Sequence, residues 1–342
     1  MKSAHAVVIG ALLCGAAMSR EYAAVELVVG ADASELERRY ADVLANQISR
    51  RSAVSVHVAT ETEYERERQG ILSILFGVPT RHALLASTLA SARIELPSDK
   101  DPGPEGFLLR TDNHDGTVSA AAVDSRGLVY ASGEILRRTA FGERMVAFPD
   151  ELEVWTAPAF EIRGTMVSQG HTITQLTGSR EWMEDDWQQA VLDYAFAGAN
   201  TFCVGFGGSA DNAQYRFITA LGLKTLASHY PNAGSGPPEW AAVEAIGRPG
   251  YLCLSVPEAW DAAVKRVENA YEDCARVDYV RFYSGDGGGC ECDKCAPFGG
   301  KYIRLCEELA AIIHRRHPDT QIFATNQKLD NAGDEAIFAY LN

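Results

Sequence analysis

The chain has 342 residues, of which 46% are hydrophobic, and its formal net charge at pH 7 is −15. This length and composition predict a globular protein with two domains. The acidic balance argues against a nucleic-acid partner, because binding to nucleic acid depends on clustered Lys and Arg that neutralise phosphates. A neutral or weakly charged substrate fits this charge better than a densely sulfated or phosphorylated one.

The beginning of the chain is typical of a secretory signal peptide. Lys2 precedes an apolar run from Ala6 to about Ala17, and small residues end it at Ala17-Met18-Ser19. We assign residues 1–23 to this signal and expect an exported protein, periplasmic or extracellular. A buried amino-terminal strand or helix is the alternative. No later run reaches the roughly 20 apolar residues of a membrane helix, so we expect no membrane span.

Residues 24–150 are predicted to form a small accessory α/β domain. Strand and helix patterns alternate from Val25 to Ser91. Two further strands are joined by His114-Asp115-Gly116, whose Asp-Gly is a hairpin signal. A helix from Ser125 to about Thr139 and a short strand from Met145 to Phe148 complete the domain. Its polar residues are scattered, so we expect it to contribute no catalytic group.

Residues 151–342 show five β/α units in series. The strands are EIRGTMV, TFCVGF, KTLASH, YVRFYS and QIFATNQ, and a helical pattern follows each of them. Such units build a parallel sheet with right-handed crossovers. Their spacing favours a (β/α)8-type TIM barrel over an open doubly wound sheet. Five units cannot close an eight-stranded barrel, so we expect the barrel to be incomplete in this sequence.

Two passages carry a family resemblance. EGFLLRTDNHDGTVSAAAVDSRGLVYASGEILRR resembles the end of the accessory domain that precedes the barrel in family 20 β-hexosaminidases and α-glucuronidases. PAFEIRGTM is similar to the first barrel strand of the same enzymes. The matching positions are Asp124, Arg126, Gly127 and Tyr130 in the first passage and Pro158, Phe160, Arg163 and Gly164 in the second.

This resemblance implies a glycosidase that hydrolyses O-glycosyl bonds, with a carbohydrate as its partner and with Arg163 in contact with sugar hydroxyls. One departure concerns the end of the fourth of the five predicted strands, YVRFYS. There the family carries adjacent Asp and Glu, the second being the general acid, whereas Asp286 is followed here by Gly287. The departure keeps a non-catalytic carbohydrate-binding protein open as an alternative. The cysteine-rich passage GDGGGCECDKCAPF also resembles an uncharacterised bacterial group related to these glycosidases.

The strand ends provide the candidate site, because the carboxyl ends of barrel strands share one mouth. Asp286 is the candidate catalytic residue, and Glu291 in the same loop is a candidate partner. A solvated loop carboxylate is the alternative for Glu291, and a turn-capping residue is the alternative for Asp286. Other groups of the kind that binds sugars follow the strands; they are Gln169, His171, Asp211, His229, Tyr230, Asn326 and Gln327, with Trp240 further on.

Three cysteines, Cys290, Cys292 and Cys295, form a C-x-C-x2-C motif, and Cys306 follows in the next helix. Four thiols match the ligand count of a structural zinc site. Export instead favours a disulfide, for example between Cys290 or Cys292 and Cys295 or Cys306, and this is the expectation we adopt. We interpret Cys253 as a core residue. No cofactor is expected, and the oligomeric state is left open.

Overall fold

The computed structural model describes residues 19–65, 69–112, 115–167, 182–204, 211–243, 250–284, 289–327 and 329–342. The chain divides into two compact units, Met1–Ala159 and Phe160–Asn342. Among the described residues, no helix has the length and apolar character needed to cross a membrane.

The strands of the first unit form two sheets. They are β1 (Ser19–Tyr22), β2 (Ala24–Val29), β3 (Ser55–Thr60), β4 (Ile71–Gly77), β5 (Phe107–Thr111), β6 (Val118–Ala122), β7 (Ala140–Phe141), β8 (Val146–Pro149) and β9 (Glu153–Thr156). One sheet has the order β3-β2-β4-β6-β5-β9, and the other has the order β1-β8-β7. The first four strands of the larger sheet are parallel, whereas β5 and β9 run antiparallel to their neighbours.

Three helices of the described residues cover the larger sheet: α1 (Glu35–Ser49), α2 (Ala83–Ser91) and α3 (Gly127–Arg138). Helix α1 begins after Ser34, whose Oγ accepts a hydrogen bond from the backbone N–H of Glu37. The core includes Val28, Leu75 and Leu108, which are at most 1% exposed. These elements lie close to their predicted positions, because each apolar run has a clear helical or strand periodicity.

Two boundaries differ from the predicted ones. Ser19–Tyr22, assigned to the signal peptide, form β1, which pairs with β8, and Tyr22 is 4% exposed. At the other end, β9 pairs with β5, so the first unit extends beyond the boundary predicted near Asp150. Residues 1–18 lie outside the described residues, and the signal peptide stays a prediction.

The motif that resembles the glycosidase accessory domain forms a structural turn. The carboxylate of Asp124 accepts hydrogen bonds from the backbone N–H groups of Glu105, Arg126 and Gly127, at 2.8, 2.9 and 3.1 Å. Arg126 pairs with the buried carboxylate of Glu105 at 3.0 Å, and the Tyr130 hydroxyl lies 3.3 Å from the same carboxylate. A Cβ at position 127 would overlap the carbonyl oxygen of Gly106. The motif therefore fixes the start of α3.

We predict that Asp124→Ala lowers the free energy of unfolding of the first unit by about 2–3 kcal/mol, because three backbone donors lose a charged acceptor. Urea unfolding measures this change. Asp42→Ala removes an exposed carboxylate on α1 and serves as the control. Equal stabilities for the two variants would contradict this role of Asp124.

The second unit repeats a strand followed by a helix. Its strands are β10 (Gly164–Thr165), β11 (Thr201–Cys203), β12 (Lys224–His229), β13 (Tyr279–Tyr283) and β14 (Gln321–Thr325). Its helices are α4 (Glu184–Phe196), α5 (Ala213–Ala220), α6 (Pro257–Glu272), α7 (Phe298–Arg316) and α8 (Asn331–Leu341). All five strands are parallel, and their order in the sheet follows the chain. The prediction of a mixed α/β fold is confirmed.

The predicted barrel is not confirmed, because β10 and β14 are the edges of an open sheet in the described part of the chain. Strand β14 carries Phe323 with 38% exposure, and α8 carries Phe338 and Leu341 with 60% and 64% exposure. Strands β10 and β11 are shorter than predicted. The remaining strands and the helices lie near their predicted positions.

Candidate functional site

The carboxyl ends of β12, β13 and β14 lie along one edge of the sheet. His229 pairs with Phe282, and Tyr283 pairs with Thr325, so the three strands end nearly level. Because neighbouring parallel strands end together, the residues that follow them are close in space. The sequence analysis expected this edge to carry the candidate site.

Aromatic residues form a cluster at this edge. The ring centroids of Tyr230 and Tyr283 are 3.9 Å apart, and Tyr251 lies edge-on to Tyr230 at 6.4 Å. The guanidinium of Arg281 lies 4.8 Å from the Tyr283 ring centroid. Burial and a hydrogen bond with Tyr230 raise the pKa of Tyr283, so its hydroxyl stays protonated at neutral pH. Such rings provide apolar faces and hydroxyl groups that suit a sugar.

Two buried polar side chains follow the same strands. Asn232 and Ser284 are both 0% exposed. Neither the amide of Asn232 nor the Oγ of Ser284 has a hydrogen-bond partner among the described residues. Buried polar atoms are nearly always paired in folded proteins, so these two groups are available to bind a ligand or residues of the neighbouring loops. Sequence reasoning missed them, because one lies in a turn-like PNAG segment and the other at the end of an apolar strand.

The predicted residues Asp286, His171 and Gln169 lie outside the described residues, so their roles stay predictions. Ser284 directly precedes the segment that carries Asp286. Glu291, the proposed partner carboxylate, is exposed, and its backbone N–H donates to the carbonyl of Val243 at 2.7 Å. Its side chain is best described as a solvated loop carboxylate.

His229 lies on the buried face of β12, together with Thr225 and Ala227. Its Nε2 lies 2.8 Å from the Tyr271 hydroxyl of α6, and its ring packs against Phe282. With 1% exposure, the imidazole contacts protein groups and not solvent. Burial, reinforced by the charge of Arg266, lowers the pKa of His229 to about 4. The placement gives His229 a role in packing, and its predicted contact with sugar gains no support.

Asn326 and Arg163 are also held by protein groups. The side chain of Asn326 is exposed at the end of β14 and donates to the Asp334 carboxylate at 2.8 Å. Arg163 precedes β10 and therefore lies at the amino end of the sheet, away from the strand ends. Its guanidinium donates to the carbonyls of Gly198 and Phe160, each at 2.5 Å. The structure thus does not bring Arg163 together with the other predicted site residues.

A cavity of about 440 Å³ lies near the carboxyl ends of β10 and β11. Two tryptophans line it together with polar side chains; the lining residues are Val167, Trp182, Met183, Glu184, Trp187, Ala213 and Gln214. The two tryptophan rings add apolar surface near the carboxyl ends of β10 and β11. Neither tryptophan was among the site residues predicted from the sequence.

The cysteine loop differs from its prediction. Cys253, Cys290, Cys292 and Cys295, called here the cysteine cluster, have sulfur atoms that all lie within 4.8 Å of one another. Cys306 is buried in α7 and is not part of this group. All cysteines of the described residues are free thiols, so the expected disulfides are not formed. Cys253, interpreted from the sequence as a core residue, takes the place expected for Cys306.

Hydrogen bonds surround the cysteine cluster. The backbone N–H of Val243 donates to Cys290 Sγ at 3.3 Å, and Ser255 Oγ lies 3.0 Å from Cys295 Sγ. Burial opposes ionisation of the Cys292 thiol, but hydrogen bonds from Cys290 and from the N–H of Cys295 outweigh it and lower its pKa to about 7. The cluster joins the loop after β12 to the loop after β13.

We predict that Arg163→Ala lowers the thermal midpoint of the second unit, because the carbonyls of Gly198 and Phe160 lose their charged donor. The expected loss is about 1–3 kcal/mol in free energy of unfolding. Arg276→Ala, which removes an exposed arginine, is the control. Unchanged stability together with weakened carbohydrate binding would instead support the role implied by the family resemblance.

A second prediction concerns pH. The folded-state pKa of His229 is about 4, below its ordinary value of 6.5, so the unfolded chain binds a proton first as the pH falls. Stability should therefore decrease from about pH 6.5 to about pH 4, by up to about 3 kcal/mol.

Urea unfolding across this pH window, with His229→Gln beside wild type, checks the effect. The variant should show a weaker dependence of stability on pH than wild type. Identical pH dependence in wild type and His229→Gln would show that this histidine is not the cause.

Comparison with known proteins shows similarity in fold. No protein-family model and no curated protein matches the sequence. Among solved structures, a family 20 exo-β-N-acetylglucosaminidase from Vibrio harveyi matches 92% of the chain, with a TM-score of 0.54 and 11% identity. A chitobiase from Flavobacterium johnsoniae matches 91% with a TM-score of 0.53 and 12% identity. A family 115 4-O-methyl-α-glucuronidase matches 89% with a TM-score of 0.50 and 14% identity.

The chain spans about half the length of these proteins, covering 54%, 50% and 42% of them. The TM-scores show a shared fold. Sequence identities this low leave the activity of this chain open. The α/β arrangement of this chain is therefore that of glycoside hydrolases, in agreement with the family resemblance read from the sequence.

Proposed function

We propose that the protein is an exported glycoside hydrolase that cleaves O-glycosyl bonds in a glycan, with a β-hexosaminidase-like or α-glucuronidase-like activity. The observation that carries this proposal is the edge formed by the ends of β12, β13 and β14. It combines tyrosine rings in contact and buried polar groups next to the loop that contains Asp286, within a fold shared with glycoside hydrolases.

The similar structures guide the choice of substrate. The Vibrio harveyi enzyme is described in complex with N-acetylglucosamine, and the family 115 enzyme has specificity for decorated arabinogalactans. Both ligands are carbohydrates. A polar, largely uncharged sugar also suits the tyrosine hydroxyls and the buried amide of Asn232.

Asp286 is the proposed catalytic carboxyl group. Glycoside hydrolysis needs two carboxyl groups that flank the scissile bond, or one carboxyl group together with a substrate acetamide that acts as the nucleophile. Asp286 would polarise or position the reacting group next to the tyrosine cluster. Glu291 is exposed in the loop that follows β13, and another strand end is the alternative source of a second protein carboxylate.

A closed TIM barrel is part of the proposal. The sequential order of parallel strands is the order found in such barrels, and the exposed Phe323 on β14 would gain a neighbour if further strands followed. Closure would place the half-buried face of β12 and β13, with Ser228, Arg281 and Tyr283, inside the barrel.

The second candidate function is carbohydrate binding without catalysis. The observation that favours it is the sequence Asp286-Gly287, which lacks the adjacent glutamate of family 20 enzymes. The tyrosine cluster and the buried polar groups would serve a binding protein equally well.

We predict that Asp286→Asn lowers kcat by roughly two to four orders of magnitude, because the change keeps the size of the side chain and removes its charge or proton. The measurement is turnover of chromogenic hexosaminides and glucuronides by the full gene product. Asp293→Asn removes an exposed carboxylate of the same loop and should keep wild-type turnover.

Sugar affinity separates the two functions. An enzyme loses turnover in Asp286→Asn and retains most of its affinity, whereas a binding protein shows no turnover in wild type and binds the sugar. Equal turnover and equal affinity in wild type and Asp286→Asn would place the active site elsewhere.

A further inference from the structure

The cysteine cluster has the geometry of a metal site. Cys253 Sγ lies 3.7 Å from Cys295 Sγ and 3.8 Å from Cys292 Sγ. A disulfide needs a sulfur–sulfur distance of about 2.0 Å, so these pairs are not bonded. In a tetrahedral site with zinc–sulfur bonds of about 2.3 Å, neighbouring sulfurs are about 3.8 Å apart. These two separations match that spacing, and all four sulfurs lie within 4.8 Å of one another.

We propose that Cys253, Cys290, Cys292 and Cys295 bind one Zn²⁺ ion as four thiolate ligands. Sulfur ligands in a tetrahedron select thiophilic metals, of which zinc and iron are the usual ones, and we assign zinc. Four protein ligands leave no position open for water or substrate. The site is therefore structural, and the proposal of a metal here does not rest on the proposed glycosidase activity.

The surroundings of the four sulfurs support a bound cation. Cys290 and Cys295 are each 1% exposed, and Cys253 is 7% exposed. Cys292 is half-buried. Thiols packed together in this way gain little from one another, whereas a cation inside the group compensates the charge of the thiolates. The N–H of Val243 and the hydroxyl of Ser255 can each donate to a sulfur, and such hydrogen bonds orient the ligands of metal sites.

The ligands come from two loops. The C-x-C-x2-C motif provides three of them immediately before α7, and Cys253 comes from the loop between β12 and α6. The backbone N–H of Glu291 also donates to the carbonyl of Val243, so the same two loops are hydrogen-bonded beside the cluster. This arrangement explains why a motif of three cysteines is sufficient for a site with four ligands.

The site would hold the loop that follows β13. Gly289 lies against the ring of Phe298, and a Cβ at this position would overlap that ring. One residue later, Cys290 enters the cluster. The metal would therefore hold the chain on the carboxyl-terminal side of the segment that carries Asp286, and that segment begins directly after Ser284 at the end of β13.

The test compares wild type with Cys253→Ser and Cys306→Ser. Cys306 is equally buried and lies outside the cluster, so Cys306→Ser is the matched control. Elemental analysis of the full chain, expressed with its own amino-terminal segment and purified without added reductant, should find about one zinc ion per chain in wild type and in Cys306→Ser. Cys253→Ser should bind zinc at least about tenfold more weakly in competition with a chromophoric chelator.

Cobalt provides a spectroscopic readout. Replacing zinc by Co²⁺ should give wild type and Cys306→Ser the visible absorption bands of tetrahedral cobalt with thiolate ligands. Cys253→Ser should lose or shift these bands. A cobalt spectrum unchanged by Cys253→Ser would exclude Cys253 as a ligand and overturn the proposed set.

Measurements on wild type keep the proposal testable if Cys253→Ser does not fold. Alkylation followed by peptide mapping should show all four cluster cysteines protected by zinc, exposed by a chelator and protected again when zinc is restored. A native mass two hydrogens lighter per bridge, or four thiols without metal, would overturn the site, and bound iron would overturn the assignment to zinc. Glycosidase assays on the same samples report separately on the proposed function.

Discussion

Parallel pairing of strands in chain order is the constraint on which the second unit depends. Backbone hydrogen bonds between β12, β13 and β14 set His229 opposite Phe282 and Tyr283 opposite Thr325. A shift of one residue would exchange the two faces of a strand and turn Tyr283 towards the helices. The register therefore decides which side chains are available at the edge and which are buried in the core.

The edge that results combines uncharged polar groups with a cation over an aromatic ring. The pKa of the buried His229 is held at about 4, so its imidazole is neutral, and the tyrosines carry hydroxyl groups. Asn232 and Ser284 add uncharged donors and acceptors. Arg281 lies over the ring of Tyr283, which leaves a cation next to an aromatic face. Groups of this kind suit many hydroxyls on a ligand better than they suit one concentrated charge.

Most of the fold could be predicted from the sequence, because the elements have clear periodicities and are separated by turn residues. KTLASH is strand β12 as predicted, and helix α6 provides the helical pattern predicted to follow it. Strand β1 was missed because the short SREY segment follows the apolar run of a signal peptide. Strand β9 was missed because EVWT is short and bounded by prolines, and it owes its position to pairing with β5.

The site was less predictable, since it depends on distances between residues far apart in the chain. His229 follows the rule that polar residues at strand ends line the mouth, yet its position in the alternation places it against α6. Arg163 directly precedes β10, a strand of only two residues. It therefore lies at the amino end of that strand, opposite the carboxyl ends that form the candidate site. Cys253 is separated from the C-x-C-x2-C motif by a complete helix and strand, and no local pattern connects them.

That separation has a consequence for how the second unit opens. Helix α6 and strand β13 lie between Cys253 and Cys290, so a link among these sulfurs encloses a helix and a central strand in one closed loop. A closed loop has fewer unfolded conformations, so such a link would raise the free energy needed to unfold the elements it encloses. Amide hydrogens of α6 and β13 should then exchange more slowly when the link is present than when it is absent.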